Sequence, residues 1–187
     1  MNRIRHIGVL VVACASITWI GAAAAAEWTV EDSSAVKFSA VQQGSRFNGA
    51  FEEFDATIDF DPSNPESGRI VGVVQTASVN TRDHDRDATL TDPDWFDTSN
   101  HPEARFESQS IEKGSDGAFV ANGELTIKGK TNPAELRFTF DTSDPSAAKF
   151  VGTMTVNRFD YNVGEGWNDT SWIGQDVDVE VDLDLTK

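Results

Sequence analysis

Residues 177–185 alternate without a break, Val-Asp-Val-Glu-Val-Asp-Leu-Asp-Leu. Successive side chains of a strand point to opposite faces, so Val177, Val179, Val181, Leu183 and Leu185 must meet a dry interior. Asp178, Glu180, Asp182 and Asp184 then meet water, and the outer surface of the sheet that holds this strand cannot face lipid.

The same two-residue period recurs along the chain. It predicts strands near 35–41, 47–51, 56–61, 69–79, 104–111, 119–128, 134–141, 149–156 and 175–185, the pattern of an antiparallel sandwich or barrel. Val36, Phe38 and Ala40, Leu136, Phe138 and Phe140, and Phe150, Met154 and Val156 mark inward faces. Turns are expected at Asp61–Pro65, Gly114–Gly117, Gly129–Pro133 and Asp141–Pro145, which are rich in residues that tolerate tight backbone geometry. The exception is Asp83–Trp95, whose His-Asp-Arg-Asp-Ala-Thr-Leu stretch predicts one short helix across a barrel end before Pro93 breaks it.

The N-terminus reads as a secretory leader. Arg3 and Arg5 precede a largely apolar run, Ile7–Ile20, and Ala22–Ala26 supply small residues before Glu27. Cleavage is expected after Ala26, giving a signal peptide over 1–26, a single domain over 27–187 and a periplasmic location. Val11-Val12-Ala13-Cys14 loosely matches a lipoprotein cleavage site, but cutting there would strand Trp19, Ile20 and the alanines on the mature side. The single cysteine thus leaves with the leader, and a disulfide scaffold is excluded. Fifteen basic residues face 31 acidic ones, a net charge of −16. That balance makes nucleic acid an implausible partner and repels anionic lipid surfaces.

All twelve phenylalanines lie between Phe38 and Phe159. An eight-stranded barrel can fill itself with such side chains or hold a small ligand among them, and composition does not decide which. Ordered motifs carry more information. Phe47-Asn48-Gly49-Ala50-Phe51-Glu52-Glu53-Phe54 leads into Ile58-Asp59-Phe60-Asp61-Pro62, and Ser78-Val79-Asn80-Thr81 follows. Asp92-Pro93-Asp94-Trp95-Phe96-Asp97, His101-Pro102-Glu103-Ala104-Arg105-Phe106, Gly123-Glu124-Leu125-Thr126-Ile127-Lys128-Gly129 and Asn157-Arg158-Phe159-Asp160-Tyr161-Asn162-Val163-Gly164 complete the order.

From Trp28 onward the chain resembles the YceI-like family of periplasmic lipid-binding proteins. The resemblance implies an all-β fold, an eight-stranded antiparallel lipocalin-like β-barrel, whose interior holds a polyisoprenoid lipid such as a prenyl quinone. Phe38, Phe51, Phe60, Trp95, Phe96, Phe106, Leu125, Ile127, Phe138, Phe140, Met154 and Phe159 are the expected ligand-binding residues. Trp95, Phe96 and Phe106 are expected to cap one end of the pore. The resemblance further implies a stress-associated or quinone-related role, a possible cytochrome b561-type membrane partner, and neither catalysis nor a cofactor. Two departures stand out: Asp32-Ser33-Ser34 lacks the histidine many relatives place there, and Lys130 replaces a usual aliphatic residue.

Other chemistries find weaker footing. Asp83 to Asp94 has the length of a calcium loop, but Ala88 occupies the position that needs glycine, and Pro93 interrupts the run. A solvated, helix-capping acidic segment is the preferred reading. His84 and His101 are the histidines of the mature chain, too few for a zinc site without carboxylates brought in by the fold, and no serine-nucleophile signature accompanies them. Two further readings stay open: a glycan-binding barrel using Trp95, Trp167 and Trp172, and a filled structural barrel without ligand.

Overall fold

The structure, a computed structural model, describes residues 27–187, so the leader read over 1–26 and the cleavage site after Ala26 lie outside the described residues. The chain forms β1 (Glu27–Val30), β2 (Ala35–Gln42), β3 (Ser45–Phe51), β4 (Phe54–Asp59), β5 (Arg69–Gln75), β6 (Val79–Asn80), α1 (His84–Thr91), β7 (Glu103–Lys113), β8 (Phe119–Ile127), β9 (Lys130–Asp144), β10 (Ala147–Asn157) and β11 (Asp176–Thr186).

Eleven strands make eight staves, because three staves are broken. β1 and β2 both pair with β11 and form two halves of one bent strand, interrupted at 31–34. β3 and β4 are separated by Glu52 and Glu53, and pair with β2 and β1 respectively. β5 and β6 are separated by a 3-10 turn, Thr76–Ser78. Every pairing is antiparallel, and the sheet closes on itself where β1 meets β11. The result is the expected closed eight-stranded barrel, in which β9 before Arg137 is paired with β8 but not with β10.

The register honours the alternation in the sequence. Val181 lies opposite Gly152 and Val36, and Val179 opposite Met154 and Phe38, all inward. On the outer face Arg46 meets Asp178 at 2.9 Å, and Lys149 meets Asp182 at 2.5 Å and Asp184 at 2.7 Å. Phe38, Phe60, Leu125, Ile127, Phe138, Phe140, Met154, Val179 and Val181 all join one hydrophobic interior.

Two turns differ from expectation. The break between β8 and β9 is not Gly129–Pro133 but the two residues Lys128 and Gly129, with φ of 48° and 70°, the geometry of a tight hairpin turn. Pro133 is thus inside a strand, opposite Glu124. It is tolerated because β9 last pairs with β10 at Arg137–Thr153, so Pro133 has a ladder partner on one side alone. Likewise Asp141–Asp144 still belongs to β9, and Pro145 and Ser146 alone make the turn.

The two barrel ends differ. At the end carrying β1 and the β9–β10 turn, the interior is packed solid: Ile58, Phe60, Ile111, Phe138, Phe150, Leu183 and Leu185 are each at most 1% exposed. The Phe60 ring lies edge-on to Phe119, Phe138 and Phe140 at 4.9, 5.2 and 5.0 Å, and Phe138 stacks on Phe150 at 4.7 Å. The Trp28 indole N–H donates to the Phe60 carbonyl at 3.2 Å and closes this end.

Two outcomes follow. Phe150→Ala should cost about 3–5 kcal/mol in urea unfolding, since the stacked neighbours cannot collapse into the space. Acid should also destabilise the fold. Arg46 holds the Asp178 carboxyl below its ordinary value, Lys149 does so for Asp184, and Ser63, Ser146 and Ser171 do so for Asp61, Asp144 and Asp169. The unfolded chain therefore takes up protons first. Stability is full above the ordinary aspartate value near 3.8 and falls as pH drops through and below it, which thermal melting against pH would show.

Candidate ligand-binding site

The opposite end of the barrel is hollow. A cavity of about 200 Å³ occupies it, walled by inward residues of most staves: Phe38, Phe51, Phe54, Gly72, Phe106, Leu125, Met154, Val179 and Leu183 among them. Its rim is built from the two long insertions of the fold, 81–102 and 158–175, where the other connections at this end are two-residue turns.

The first insertion is fixed by capping and ring contacts. Asp83 caps α1 by accepting from the Arg86 N–H at 3.1 Å, and Asp87 accepts from both the backbone N–H and the hydroxyl of Thr81 at 2.8 and 2.6 Å. Asp83 thus caps the helix, as the acidic segment predicts, while Asp87 ties it to the preceding Thr81. Among the described residues no group of three or more His, Cys, Asp or Glu side chains is placed to hold a metal ion. The Arg86 guanidinium lies 4.2 Å over the Phe47 ring and donates to Gln42 at 3.3 Å, drawing the helix onto the β2–β3 hairpin. Leu90, Trp95 and Phe96 then turn into the cavity roof.

Arg158 organises the second insertion. Its guanidinium is buried and donates to five carbonyls: Gly174 at 3.0 Å, Val163 at 3.0 Å, Gly164 at 3.2 Å, Trp167 at 2.5 Å and Ile173 at 3.3 Å. All five N–H groups of the side chain are therefore engaged. Burial pulls the guanidinium below its usual pKa, although arginine keeps its proton in such a setting. Gly164 is required here twice over. Its φ is 74°, and a β-carbon would stand 2.6 Å from Arg158 Nη1 and 3.1 Å from the Trp95 ring. The Gly164 and Glu165 N–H groups donate to the Asp94 carbonyl at 2.8 and 2.9 Å, tying the two insertions together.

The expected site residues divide by height. Phe38, Phe51, Trp95, Phe96, Phe106, Leu125, Ile127 and Met154 surround the cavity. Phe60, Phe138 and Phe140 lie below it, in the packed aromatic end. Phe159 is turned away from the cavity with its ring 4.2 Å from the Arg158 guanidinium. Of the three residues expected to cap the pore, Trp95 and Phe96 stand in the roof and Phe106 is a wall residue on β7. Trp95 is buried beneath Trp167, with ring centroids 6.3 Å apart, so it is withdrawn from the exposed ring surface that a glycan platform needs. Sequence reasoning passed over Phe47, Phe54, Gly72, Leu90, Tyr161 and Ile173, all of which line the cavity. Strand alternation could have found Phe47 and Phe54; the others required the tertiary fold.

A wider concavity of about 920 Å³ runs over the outer face of β2, β3, β9, β10 and β11. Charged side chains line it together with Phe38, Met154 and Val179, and Lys37 pairs with Glu180 there at 3.5 Å.

The YceI-like domain profile matches residues 28–185. The chain belongs to the YceI-like family. It is 33% identical over 120 residues to a UPF0312 protein of Ectopseudomonas mendocina, covering 62% of this chain and 63% of that protein. A UPF0312 protein of Pseudomonas savastanoi pv. phaseolicola is 30% identical over 173 residues, 88% of each chain. In three dimensions this YceI-like barrel is similar to BcnA of Burkholderia cenocepacia, with a TM-score of 0.79 and 28% identity, covering 83% of this chain and 99% of that one. It also shares its fold with a polyisoprenoid binding domain from Saccharophagus degradans implicated in plant cell wall breakdown, at a TM-score of 0.65 and 15% identity over 87% of this chain and 98% of that one.

Within the YceI-like barrel, Arg158 is predicted to be the most costly polar residue to remove. Arg158→Met should destabilise the protein by about 3 kcal/mol or more in chemical unfolding, because it orphans several carbonyls at about 1–3 kcal/mol each. Arg158→Lys should recover part of the loss, since an ammonium has three donors where five are used.

Proposed function

We propose that this YceI-like barrel binds the hydrocarbon chain of a polyisoprenoid lipid, such as a prenyl quinone, in the hollow half of its interior. The observation that carries the reading is the chemistry of the cavity wall. Of the residues around it, two are charged: Asp55, exposed on the outer face of its strand, and Arg158, whose N–H groups are all engaged by carbonyls. Such a site offers a ligand dispersion and dryness and little directional bonding, which suits a branched apolar chain at about 0.8 kcal/mol per buried methylene. The polyisoprenoid binding domain that shares the fold gives the ligand class a precedent.

The leader read over residues 1–26 supports a periplasmic setting, in which the barrel carries its lipid between a membrane and the soluble phase; a cytochrome b561-type membrane protein is the partner proposed from the family resemblance. The acidic composition bears on how cargo is exchanged. Repulsion from an anionic membrane is screened over about 8–10 Å at physiological ionic strength, so transfer should be faster at higher salt.

Protein purified from its own host and analysed by native mass spectrometry should retain a prenyl lipid. Apoprotein in repeated preparations, together with no saturable uptake of prenyl chains in titration, would refute the carrier. Uptake from anionic vesicles, followed through tryptophan quenching, should accelerate as salt rises; faster transfer at low salt would indicate a basic docking patch instead.

A further inference from the structure

We propose that Trp167 and Trp172 form a docking surface for the headgroup region of a zwitterionic bilayer, seated beside the mouth of the cavity. Docking rests on the carrier reading above for its purpose, while its evidence lies on the outer surface of the loop over residues 162–174.

Among the described residues these two are the large hydrophobics left exposed, at 46% and 53%. Their backbone is fixed. Arg158 Nη2 donates to the carbonyls of Trp167 at 2.5 Å and Ile173 at 3.3 Å, so both arms of the loop meet at one nitrogen. The Gln43 N–H donates to the Trp172 carbonyl at 2.7 Å. Between the two rings the Asp169 carboxylate accepts from the N–H and hydroxyl of Ser171 at 2.9 and 2.6 Å. Rings carried on a backbone already held in place lose little freedom on binding.

The size of the patch argues against a protein partner. Two rings at about half exposure offer one ring's worth of surface, about 150–250 Å². A stable protein interface needs about 800 Å² per side. A bilayer makes no such demand, since its interface takes single tryptophans at the level of the headgroups.

Charge then selects the lipid. The two insertions of the rim, 81–102 and 158–175, carry nine acidic residues and three arginines. Arg158 is engaged by carbonyls, and Arg86 by the Phe47 ring, Gln42 and Asp83. Within 162–174 the charged residues are Glu165 and Asp169, both exposed. An anionic headgroup would be repelled at contact distance. The outermost charge of a zwitterionic headgroup is an ammonium, which a carboxylate attracts and the face of an indole accepts. The patch also borders the cavity, for Trp167 rests against Trp95 in its roof.

The test is flotation of protein purified from its own host with vesicles of phosphatidylcholine, alone or mixed with phosphatidylglycerol. Wild type should float with phosphatidylcholine, and bromine-labelled acyl chains should quench its tryptophan emission. Its partition should fall as phosphatidylglycerol is added and recover as salt rises. Trp172→Ala should weaken partition at least about fivefold, and its combination with Trp167→Ala at least about twentyfold, because the apolar surface to be buried goes with the rings. Trp172→Phe should restore part of the loss. Trp172 does not line the cavity, so Trp172→Ala should melt as wild type does and take up prenyl chains from detergent micelles equally well; it carries the test if the double variant fails to fold. Partition that is absent, that rises with anionic lipid, or that is equal in wild type and Trp172→Ala would overturn docking. So would a concentration-dependent dimer abolished by Trp172→Ala, which would assign the patch to a second copy of the chain. Uptake from micelles reports on the carrier reading separately: its failure with flotation intact would overturn the carrier and leave the docking surface.

Discussion

The stacked phenylalanines at the closed end are what allow the rest of this barrel to be hollow. An unfilled volume in a protein core costs about 24 cal/mol per Å³, so a cavity of about 200 Å³ withholds on the order of 5 kcal/mol. Net stabilities are about 5–15 kcal/mol, so the omission is a large fraction of the whole. It is supportable because the other half of the interior is packed to near-zero exposure, with Phe60 in edge contact with three rings and Phe138 stacked between Phe119 and Phe150. A barrel of eight strands can fill with side chains or keep an interior cavity, and this one does both at different heights. The filled-barrel reading describes its lower half, and the upper half keeps the cavity on which the lipid-binding proposal rests.

At the mouth the same problem of burial recurs in polar form. Arg158 is a cation withdrawn from water whose five N–H groups are met by carbonyls rather than by a carboxylate. Removing one partner of a buried charge is costly, while full hydrogen bonding makes the charge tolerable. Here the guanidinium serves as the template around which residues 162–174 fold, and Gly164 exists in that loop because nothing larger fits between Arg158 and Trp95. The loop in turn reaches Asp94 on one side and Val41 and Gln43 on the other, so the roof is one hydrogen-bonded unit.

How much of this was legible in the sequence depends on which symmetry a feature obeys. Alternation has a period of two and therefore reveals faces, which is why Phe38, Leu125 and Val179 were read as inward and are inward. It carries no information on height. Phe60, Phe138 and Phe140 look identical in sequence to Phe38 and Phe51, and register alone separates the packed end from the cavity. The β8–β9 turn was misread for a similar reason: Pro133 and Asn132 are strong turn residues, and only the loss of the β10 neighbour makes a strand proline acceptable there. β1 was missed because Glu27–Val30 is too short to show a period. Gly72 was silent, since a glycine advertises its backbone freedom, and here the feature that matters is the space beside it.

The charge and the mouth together constrain how an apolar ligand can enter. The outer face of β11 is a row of carboxylates partly paired with Arg46, Lys37 and Lys149, so long-range attraction to an anionic membrane is absent and the approach must be decided at short range. Among the described residues the large hydrophobics left exposed are Trp167 and Trp172, and both belong to the loop that Arg158 holds over the cavity. Tryptophan is the side chain best suited to a boundary that is apolar on one side and wet on the other. Trp167 also rests against Trp95 in the cavity roof, so any contact that displaces it acts on the roof directly. The exposed tryptophans and the cavity roof are therefore parts of one hydrogen-bonded unit, held by the same buried guanidinium.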